Sequence, residues 1–448
     1  MTQPISRSGK RSDVQYPSAE GLIVAVGAGP SNLSLAALAV SMFEPRVRVL
    51  ESRSSAAWHP GLLLPRSRLQ GSFLRDLVTP VDPRSEYSFI NYLHVMKRLN
   101  GFLTAHRDSS LRVDFSGYFE WVAQQVHTSF SEEVVDIAFD GDSFIIESAH
   151  QTLRAKNIVS GSGAIRFVPN DKWLTIKNVW HASEHLSMPR QTSGNRVAIV
   201  GGGQSAAELF LHLVDTPEER PRELIWLTGR GGLLPLDQSA FTDEFFQPSY
   251  GMYFSALPAE RKPEIVARQH TAISGISREV LQELYARVYA LDAFEPTLMN
   301  QGILAGSEAV DLTPAPDGTV DVVIREVDCG QLSSTRMDAV ILATGYRKSI
   351  PPYLSSLMPK LDSSDGALVA NSIGRVGFDG PASNGLYLHS GPSMSAGVGG
   401  QTLGLVSWRS ARILNDIADE PVFDLLPEWS AQSRGTTTFG SPINDHRK

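Results

Sequence analysis

Two glycine-rich segments of the same design constrain the fold of this chain more than any other feature. The first, AVGAGPSNLSLAAL at residues 25–38, links a short apolar run to a helix-like pattern, and the second, GGGQSAAELFLHL from Gly201, follows the same plan. A buried strand that enters a helix through such a turn opens a βαβ unit, which implies a parallel sheet covered by helices. The sequence therefore predicts the α/β class, with two Rossmann-like domains.

The composition is that of an ordinary globular protein. The 448 residues are 42% hydrophobic and 20% charged, and a net charge of -8 without a long basic run argues against a nucleic-acid partner. The single cysteine, Cys329, excludes a disulfide within the chain and the CxxC pair of a disulfide reductase. No apolar run reaches the roughly 20 residues of a membrane helix, and no apolar leader is present. We therefore expect a cytoplasmic protein without a membrane partner.

The first turn has the residues that a dinucleotide site needs. Gly27 permits a tight turn, Gly29 lets the backbone approach a pyrophosphate, and Pro30 suits the start of the helix that faces the phosphates. Asn32 takes the place of the usual third glycine. Glu51, at the end of the second predicted strand, can accept hydrogen bonds from ribose hydroxyls. We predict that these five residues bind a dinucleotide.

The second turn has the GxGxxA form, and an arginine stands where NAD-binding domains carry an acid. Arg230 follows the next predicted strand. An acid there would repel the extra phosphate of NADP, whereas an arginine can bind it. The pattern favours NADP over NAD, and the predicted contacts are Gly201, Gly203, Gln204, Ser205 and Arg230.

Two dinucleotide sites in one chain indicate a flavoprotein in which NADPH visits a permanently held FAD and passes it a hydride. A third segment supports this interpretation, since the strand at Asp338–Ala343 runs into Thr344, Gly345 and Tyr346. In two-dinucleotide flavoproteins such a turn marks the crossing between domains, and glycine suits a close approach to a cofactor. We expect these three residues to lie against a cofactor.

The order of the segments predicts a discontinuous domain arrangement. DEFFQPSYGMYF and REVLQELYARVYAL depart from the alternation of strands and helices, and they predict a small helical substrate domain inserted into the NADPH domain. The predicted boundaries are 1–20 for a flexible tail, 21–188 with 351–448 for the FAD domain, 189–236 with 300–350 for the NADPH domain, and 237–299 for the insertion.

Several motifs together resemble a known family. WHPGLLLPRSRLQGSFLRDLVTPVDPRSEYSFINYL, at residues 58–93, is the most specific of them, and GAGPSNLSLAAL, GGGQSAAE, DEFFQP, ATGY and SWRSARILN add to it. The chain resembles the flavin-dependent N-hydroxylating monooxygenases, which are the L-lysine N6- and L-ornithine N5-monooxygenases of siderophore biosynthesis. The similarity extends over nearly the whole chain after the tail.

The resemblance implies a reaction. FAD is reduced by NADPH, dioxygen adds to give a C4a-hydroperoxyflavin, and a neutral primary amine takes the distal oxygen to become a hydroxylamine. Water must be kept out, and the amine must lose its proton, which burial promotes by lowering the pKa of an ammonium group. The sequence shows neither an acid–base dyad nor a metal-ligand cluster for this chemistry. The family also implies a homo-oligomer, a dimer or tetramer.

The resemblance assigns roles to residues near the flavin. Trp58 and His59 in WHPG match residues that line the flavin, although a purely structural histidine is nearly as good an interpretation of His59. Gln70 matches a glutamine near the flavin and nicotinamide, with an ordinary loop amide as the alternative. Leu403 matches a leucine that lies over the flavin and the substrate.

The resemblance also points to a substrate site. Arg75 stands where the amino-acid hydroxylases usually have a lysine that contacts the substrate carboxylate. An arginine could bind that carboxylate in a bidentate manner, whereas the alternative is a structural ion pair with Asp76. Asp243 falls where lysine enzymes tend to show aspartate and ornithine enzymes show asparagine.

Departures from the family pattern leave the substrate open. Ala272 stands where a second pocket asparagine is expected, and in SAGVGGQTLGL the residues Ala396, Gly400 and Gly404 replace a histidine, an acid and a serine. A lysine- or ornithine-like amino acid, a diamine such as putrescine or cadaverine, and the α-amine of aspartate all remain possible substrates. A non-catalytic flavoprotein that senses NADPH is an alternative of another class.

Overall fold

A computed structural model describes residues 22–42, 46–106, 110–188, 192–364, 366–389, 397–425 and 429–432. Two five-stranded parallel sheets dominate it, and smaller antiparallel sheets and short helices surround them. The predicted tail at 1–20 and the departure at Ala396 lie outside the described residues.

The strands and helices are numbered here in chain order. The strands are β1 Leu22–Val26, β2 Arg46–Leu50, β3 Thr128–Ser129, β4 Val134–Phe139, β5 Phe144–Ser148, β6 Thr152–Ala155, β7 Asn157–Ser160, β8 Ile165–Arg166, β9 Val179–His181, β10 Arg196–Val200, β11 Glu223–Thr228, β12 Asn300–Ala305, β13 Ser307–Pro314, β14 Val320–Glu326, β15 Leu332–Met337, β16 Ala339–Leu342, β17 Tyr346–Arg347, β18 Ser363–Ser364, β19 Ala367–Leu368 and β20 Gly385–Leu388. The helices are α1 Pro30–Ala39, α2 Phe89–Val95, α3 Leu99–Ala105, α4 Arg112–Gln125, α5 Gln204–Asp215, α6 Ala240–Asp243, α7 Pro248–Ser255, α8 Lys262–Arg268, α9 Arg278–Phe294 and α10 Val406–Ala418.

The first sheet has the strand order β20-β7-β1-β2-β3, and every neighbouring pair is parallel. All five residues of β1 are buried, as expected for a strand covered on both faces. Helices α1, α4 and α10 supply apolar side chains to the core on one face. Elements from both the early and the late part of the described chain thus form this sheet and its core.

The second sheet has the order β12-β11-β10-β16-β9, again all parallel. It corrects two predicted boundaries. Strand β9 precedes residue 189, yet it pairs with β16 in this sheet. Helix α9 lies inside the predicted insertion, yet Leu284 and Leu291 pack into the core beside α5. It is the crossover between the parallel neighbours β11 and β12, which a parallel pair requires.

The two crossings between the domains run side by side. Strand β8 lies on the first crossing and β17 on the return, and they pair antiparallel through Tyr346 with Arg166 and Arg347 with Ile165. The chain therefore returns between the domains at the ATGY motif.

The remaining elements are small. Strands β4-β5-β6 and β13-β14-β15 form antiparallel sheets, while α6, α7 and α8 form the helical insertion. No helix among the described residues is long and apolar enough to cross a membrane.

Candidate active site

The two glycines of the first turn differ in what requires them. Gly27 is required by the backbone conformation, whereas Gly29 leaves open space beside the turn. Gly27 has φ +95°, and a Cβ there would lie 3.0 Å from the carbonyl oxygen of Gly161. Gly29 has φ -78°, which any residue adopts, and a Cβ there would meet only that same oxygen at 4.0 Å. Since the protein does not require glycine at position 29, the requirement comes from what lies on the open side. A pyrophosphate at the start of α1 fits that space.

Glu51 stands at the carboxyl end of β2, beside this turn. Its Oε2 accepts a hydrogen bond from Ala28 N at 2.7 Å, and its Oε1 accepts from Arg53 N and Nε, both at 3.0 Å. Burial raises the pKa of Glu51, but the bonds from Arg53 and Ala28 outweigh burial and leave the pKa below its usual value. A carboxylate is thus fixed where a ribose hydroxyl would need an acceptor.

Asn32 has a different role from the predicted one. Its Nδ2 donates to the carbonyl oxygens of Val26 and Gly27, both at 2.9 Å, and the residue is fully buried. A Cβ on Gly161 would come within 2.5 Å of the same Nδ2. Asn32 therefore holds the turn from behind and does not line the cavity in front of it. The glycine after β7 was missed, although a glycine that ends a buried strand is itself a signal of close packing.

A cavity of about 910 Å³ opens in front of this turn. Its walls carry most of the predicted flavin residues, namely Gly27, Gly29, Pro30, Glu51, Trp58, His59 and Tyr346. Its walls also carry residues that sequence reasoning did not single out, among them Gly161, Ser183 and Lys348.

The His59 imidazole belongs to an aromatic wall of this cavity. Its ring centroid lies 5.2 Å from that of Trp58 and 6.2 Å from that of Tyr346. The His59 side chain is exposed toward the cavity. Its partial desolvation, reinforced by the positive charges of Arg112 and Arg53, nevertheless lowers the pKa of His59 to about 4. The ring is therefore neutral at pH 7. The neighbouring Gly345 has φ +86°, and Thr344 donates its hydroxyl to the carbonyl of Phe167.

The second glycine turn repeats the logic of the first. Gly201 has φ +136°, and a Cβ there would lie 2.1 Å from the Ala343 carbonyl oxygen, whereas a Cβ on Gly203 would meet nothing within 4 Å. Arg230 lies beside the turn, since a Cβ on Gly202 would be 3.0 Å from its Cδ. The guanidinium is held by Ser274, whose Oγ accepts from Nη2 at 2.6 Å. A cation held by a hydrogen bond thus lies beside the second turn, and its binding of the extra phosphate of NADP stays a prediction.

A second cavity of about 420 Å³ lies between the domains. The loop at 64–72 forms one wall, and α5, α9 and the end of α6 form the others. This cavity brings together the predicted residues Gln70, Gln204 and Asp243. Ser205 follows Gln204 in the first turn of α5, while Leu403 packs partly buried against the first core and lines neither cavity.

The family model for L-lysine 6-monooxygenase/L-ornithine 5-monooxygenase matches residues 22–348. The chain belongs to this family. It is 32% identical to the L-lysine N6-monooxygenase of Escherichia coli over 419 residues, which cover 92% of this chain and 98% of that protein. It is 33% identical over 435 residues to the rhizobactin siderophore biosynthesis protein RhbE of Rhizobium meliloti, with 92% and 94% covered.

A solved structure agrees with this assignment. The ornithine N-hydroxylase KtzI of Kutzneria sp. 744, with reduced FAD, NADP+ and L-ornithine, superposes with a TM-score of 0.80 at 28% identity, covering 89% of this chain and 98% of that one. The protein is thus an N-hydroxylating, FAD- and NADPH-dependent monooxygenase of the siderophore type, acting on a lysine- or ornithine-like amine. Its two glycine turns suit the two cofactors.

A buried carboxylate that the sequence reasoning missed joins the walls of the second cavity in this monooxygenase. Glu208 accepts from Ser67 Oγ at 2.8 Å and from Arg112 Nη2 and Gln204 Nε2, both at 2.9 Å. Gln204 Oε1 in turn accepts from Ser277 N at 2.8 Å. The signal was an acid within the apolar run of GGGQSAAELF, since a carboxylate is rarely buried without partners.

Arg75 and Asp243, two of the predicted substrate residues of the monooxygenase, lie close enough for their charges to interact. Arg75 lowers the pKa of Asp243 by its charge, while burial, the larger effect, raises that pKa above its usual value. Asp76 does not pair with Arg75 but accepts from the backbone N–H groups of Val78, Thr79 and Phe89, so the structural ion pair is not formed.

Two departures from the family pattern have structural explanations. A Cβ on Gly404 would lie 3.2 Å from Arg75 Cδ and 3.7 Å from its Nη1, so the glycine makes room for the guanidinium. Ala272 is buried in a short 3₁₀ turn, so an asparagine that faces the substrate has no counterpart at that position.

Proposed function

We propose that the monooxygenase hydroxylates the side-chain amine of a basic amino acid, with L-lysine as the first candidate. The observation that supports this most directly is the pair of opposite charges at Arg75 and Asp243. They lie close enough for Arg75 to lower the pKa of Asp243, yet the described residues include no ion pair between them. Two such groups suit the two charges of an α-amino acid.

Each charge has a natural partner on the substrate. The α-carboxylate can take two parallel hydrogen bonds from the Arg75 guanidinium. The α-ammonium can pair with Asp243 and would keep that carboxylate ionised against the effect of burial. The side-chain amine then extends away from this end of the substrate.

The charges on the second cavity weigh against the other substrates. Its charged residues are mostly acidic: Glu208, Asp215, Asp243, Glu279 and Glu283 against Arg66 and Arg68. Arg66 is already paired with Asp215 at 3.0 Å. Aspartate would bring two more carboxylates to this surface, and a diamine would leave Arg75 without an anion.

The residues of the site bind and orient, because the oxygen chemistry belongs to the cofactor. Reduced flavin, when bound, activates dioxygen so that one oxygen atom can pass to the amine. The amine must first lose a proton from a group with a free pKa of about 10.4, and an enclosed position favours that loss. Gln70 offers an amide on the cavity wall formed by the loop at 64–72, whereas the amide of Gln204, on the α5 wall, is fixed by Glu208 and Ser277. Gln70 is thus the group free to orient the amine.

Product formation across a panel of amines tests the proposal. The FAD-loaded enzyme is given NADPH and dioxygen with lysine, ornithine, putrescine, cadaverine, aspartate or glutamate, and hydroxylamine is measured separately from peroxide. We expect hydroxylamine from lysine, with slower turnover of ornithine. Faster hydroxylation of a diamine or of aspartate would refute the proposal.

Arg75→Met gives the first testable prediction. Losing a charge-assisted bidentate contact of roughly 1.5–3 kcal/mol should raise KM for lysine about 10- to 100-fold, with little change in KM for cadaverine. Arg75→Lys is the matched control, since it keeps the charge and should lose much less. An equal rise in KM for both amines in Arg75→Met would mean that the guanidinium does not bind the substrate carboxylate.

We also infer a cytoplasmic location, since Cys329 is a free, exposed thiol and reduced thiols persist in a reducing compartment. Assembly into a dimer or tetramer stays a prediction.

A further inference from the structure

At the edge of the second cavity, three potential metal ligands converge in the second domain. His185 lies in the short 3₁₀ segment Ala182–Ser187 after β9, His212 lies in the last turn of α5, and Glu219 lies in the loop that follows. Glu219 Oε2 is 3.2 Å from His185 Nε2 and 3.3 Å from His212 Nε2. The ligating atoms of all three lie within 4.8 Å of one another.

These distances fit a tetrahedral metal. Zinc bound at about 2.0–2.1 Å places its ligand atoms roughly 3.3–3.4 Å apart, which is close to both observed separations. Two imidazoles and one carboxylate are also a ligand set that zinc uses, with a fourth position left for water. The three side chains are only 4%, 12% and 13% exposed, so the carboxylate is not an ordinary solvated surface group.

The surroundings orient the imidazoles for this purpose. The Nδ1 of His212 lies 3.3 Å from Thr216 Oγ1, so Nδ1–H can donate there and leave Nε2 free as a ligand. The His185 ring lies nearly parallel to Trp180, with an angle of 18° and centroids 6.4 Å apart, and it meets His212 edge to face. Packing thus directs both Nε2 atoms to one side, toward Glu219.

We propose that His185, His212 and Glu219 form a zinc-type divalent metal site that ties the segment after β9 to the end of α5. Because His212 also lines the second cavity, the metal lies at the edge of that cavity and steadies its α5 wall. Its role is structural. It does not depend on which amine is hydroxylated, so its failure and that of the proposed function are distinguishable.

Cobalt binding to the full-length, FAD-loaded enzyme tests this site. The protein, without a histidine tag, is stripped with a chelator and titrated with Co²⁺. We expect one equivalent to bind with the intense visible absorption of tetrahedral cobalt at wavelengths longer than those of the flavin, and Zn²⁺ to displace it. A carboxylate that only accepts two imidazole N–H bonds gives no such band, so its absence from the wild-type protein overturns the proposal.

Variants assign the ligands. His212→Ala and Glu219→Ala should each weaken Co²⁺ binding at least 10-fold and abolish the rise in Tm that Zn²⁺ gives the wild type. His94→Ala and His270→Ala, which remove exposed imidazoles outside the cluster, should leave both measurements unchanged. The FAD content of each variant verifies its fold. Unchanged Co²⁺ affinity in a folded Glu219→Ala variant would also overturn the proposal.

Discussion

Arg75 and Gly404 are two departures from the family pattern that are related by packing, because the two residues lie against each other. Position 75 carries a guanidinium in place of the lysine expected there, and position 404 has lost the side chain that would crowd it. The planar, rigid guanidinium needs more room at a fixed position than a flexible ammonium group does. The glycine at position 404 thus leaves the space that the arginine side chain occupies.

This coupling predicts the behaviour of Gly404→Ser. The new Cβ, 3.2 Å from Arg75 Cδ, should displace the guanidinium and raise KM for the amino-acid substrate about 10-fold, as expected for overpacking of 1–3 kcal/mol. Arg75→Lys combined with Gly404→Ser should recover most of the loss, because a lysine stem can move aside. The comparison of steady-state KM values forms a double-mutant cycle. Additive effects would show that the two positions are independent.

His389 predicts a pH dependence of stability. Burial, reinforced by the charge of Arg409, lowers the pKa of His389 from 6.5 to about 3, and its Nε2 lies 2.8 Å from Ser410 Oγ in the core of the first domain. The folded state therefore holds this imidazole neutral, while the unfolded chain takes up a proton below pH 6.5. The stability is fully present above that pH and is lost as the pH falls toward 3.

Urea unfolding of the FAD-loaded enzyme checks this expectation. Between pH 6.5 and 5.5 the wild type should lose about 1 kcal/mol more than His389→Gln does. His270→Ala, at an exposed position, should show the wild-type slope. Parallel pH profiles for the wild type and His389→Gln would contradict the assignment.

At the scale of elements, the turns divide the glycines into two functional kinds. Gly27→Ala should damage the fold itself, because φ +95° and a 3.0 Å approach to Gly161 leave no place for a methyl group. Such strain costs about 1–3 kcal/mol. Gly29→Ala should fold normally and lose FAD, since its methyl group enters the space on the ligand side. Tm of the apoprotein and flavin content separate the two outcomes, and a fully flavinylated Gly29→Ala protein would refute the site.

The sequence predicted strands well where apolar runs end in glycine turns. The apolar runs at 46–50, 157–160, 196–200 and 223–228 predict strands, and β2, β7, β10 and β11 have these bounds because β-branched residues and flanking glycines favour a strand that ends there. The helical pattern of residues 87–99 predicts one helix, whereas the structure has α2 and α3 separated by Lys97 at φ +60°. A lysine gives no warning of a left-handed residue, so this break could not be predicted.

Sheet membership and side-chain partners were harder. Strand β9 and helix α9 were assigned to the wrong units because sequence order does not reveal which strands pair. The two glycine turns could be located from local pattern, while the ligand contacts of Glu51 and Asp243 stay predictions. The hydrogen bonds that Ser67 and Arg112 donate to Glu208, and the packing of Gly161 against Asn32, join residues distant in sequence, which pattern alone does not bring together.

At the scale of the whole molecule, Glu208 connects parts of the chain that belong to both domains. Ser67 and Arg112 come from the side of the first domain, whereas Gln204 and the backbone of Ser277 come from the second. The side chains of Glu208 and Arg112 are only 6% and 15% exposed, so water cannot replace the missing partner if one is removed. This network joins the loop at 64–72 and helix α4 to helix α5 and the start of helix α9.

Glu208→Gln should therefore destabilise and uncouple the enzyme together. Removing one charge of a buried pair costs about 3 kcal/mol, and the loosened interface should release more peroxide per hydroxylamine formed. Glu283→Gln is the control, since its contact with Arg66 at 3.7 Å is exposed and contributes little. Wild-type Tm and coupling in Glu208→Gln would contradict this account.

The discontinuous first sheet has a consequence for synthesis of the chain. The second sheet is drawn from one uninterrupted stretch, β9 to β16, whereas the first must wait for β20 to close its edge at β7. Helix α10, which packs on α1, is made later still. During synthesis on the ribosome, all strands of the second sheet are thus available before the first sheet is complete. Until β20 is made, the edge of β7 stays unpaired and can pair with a strand of another chain. Because Leu388 of β20 lines the first cavity, the complete FAD site can form only after β20 has been synthesised.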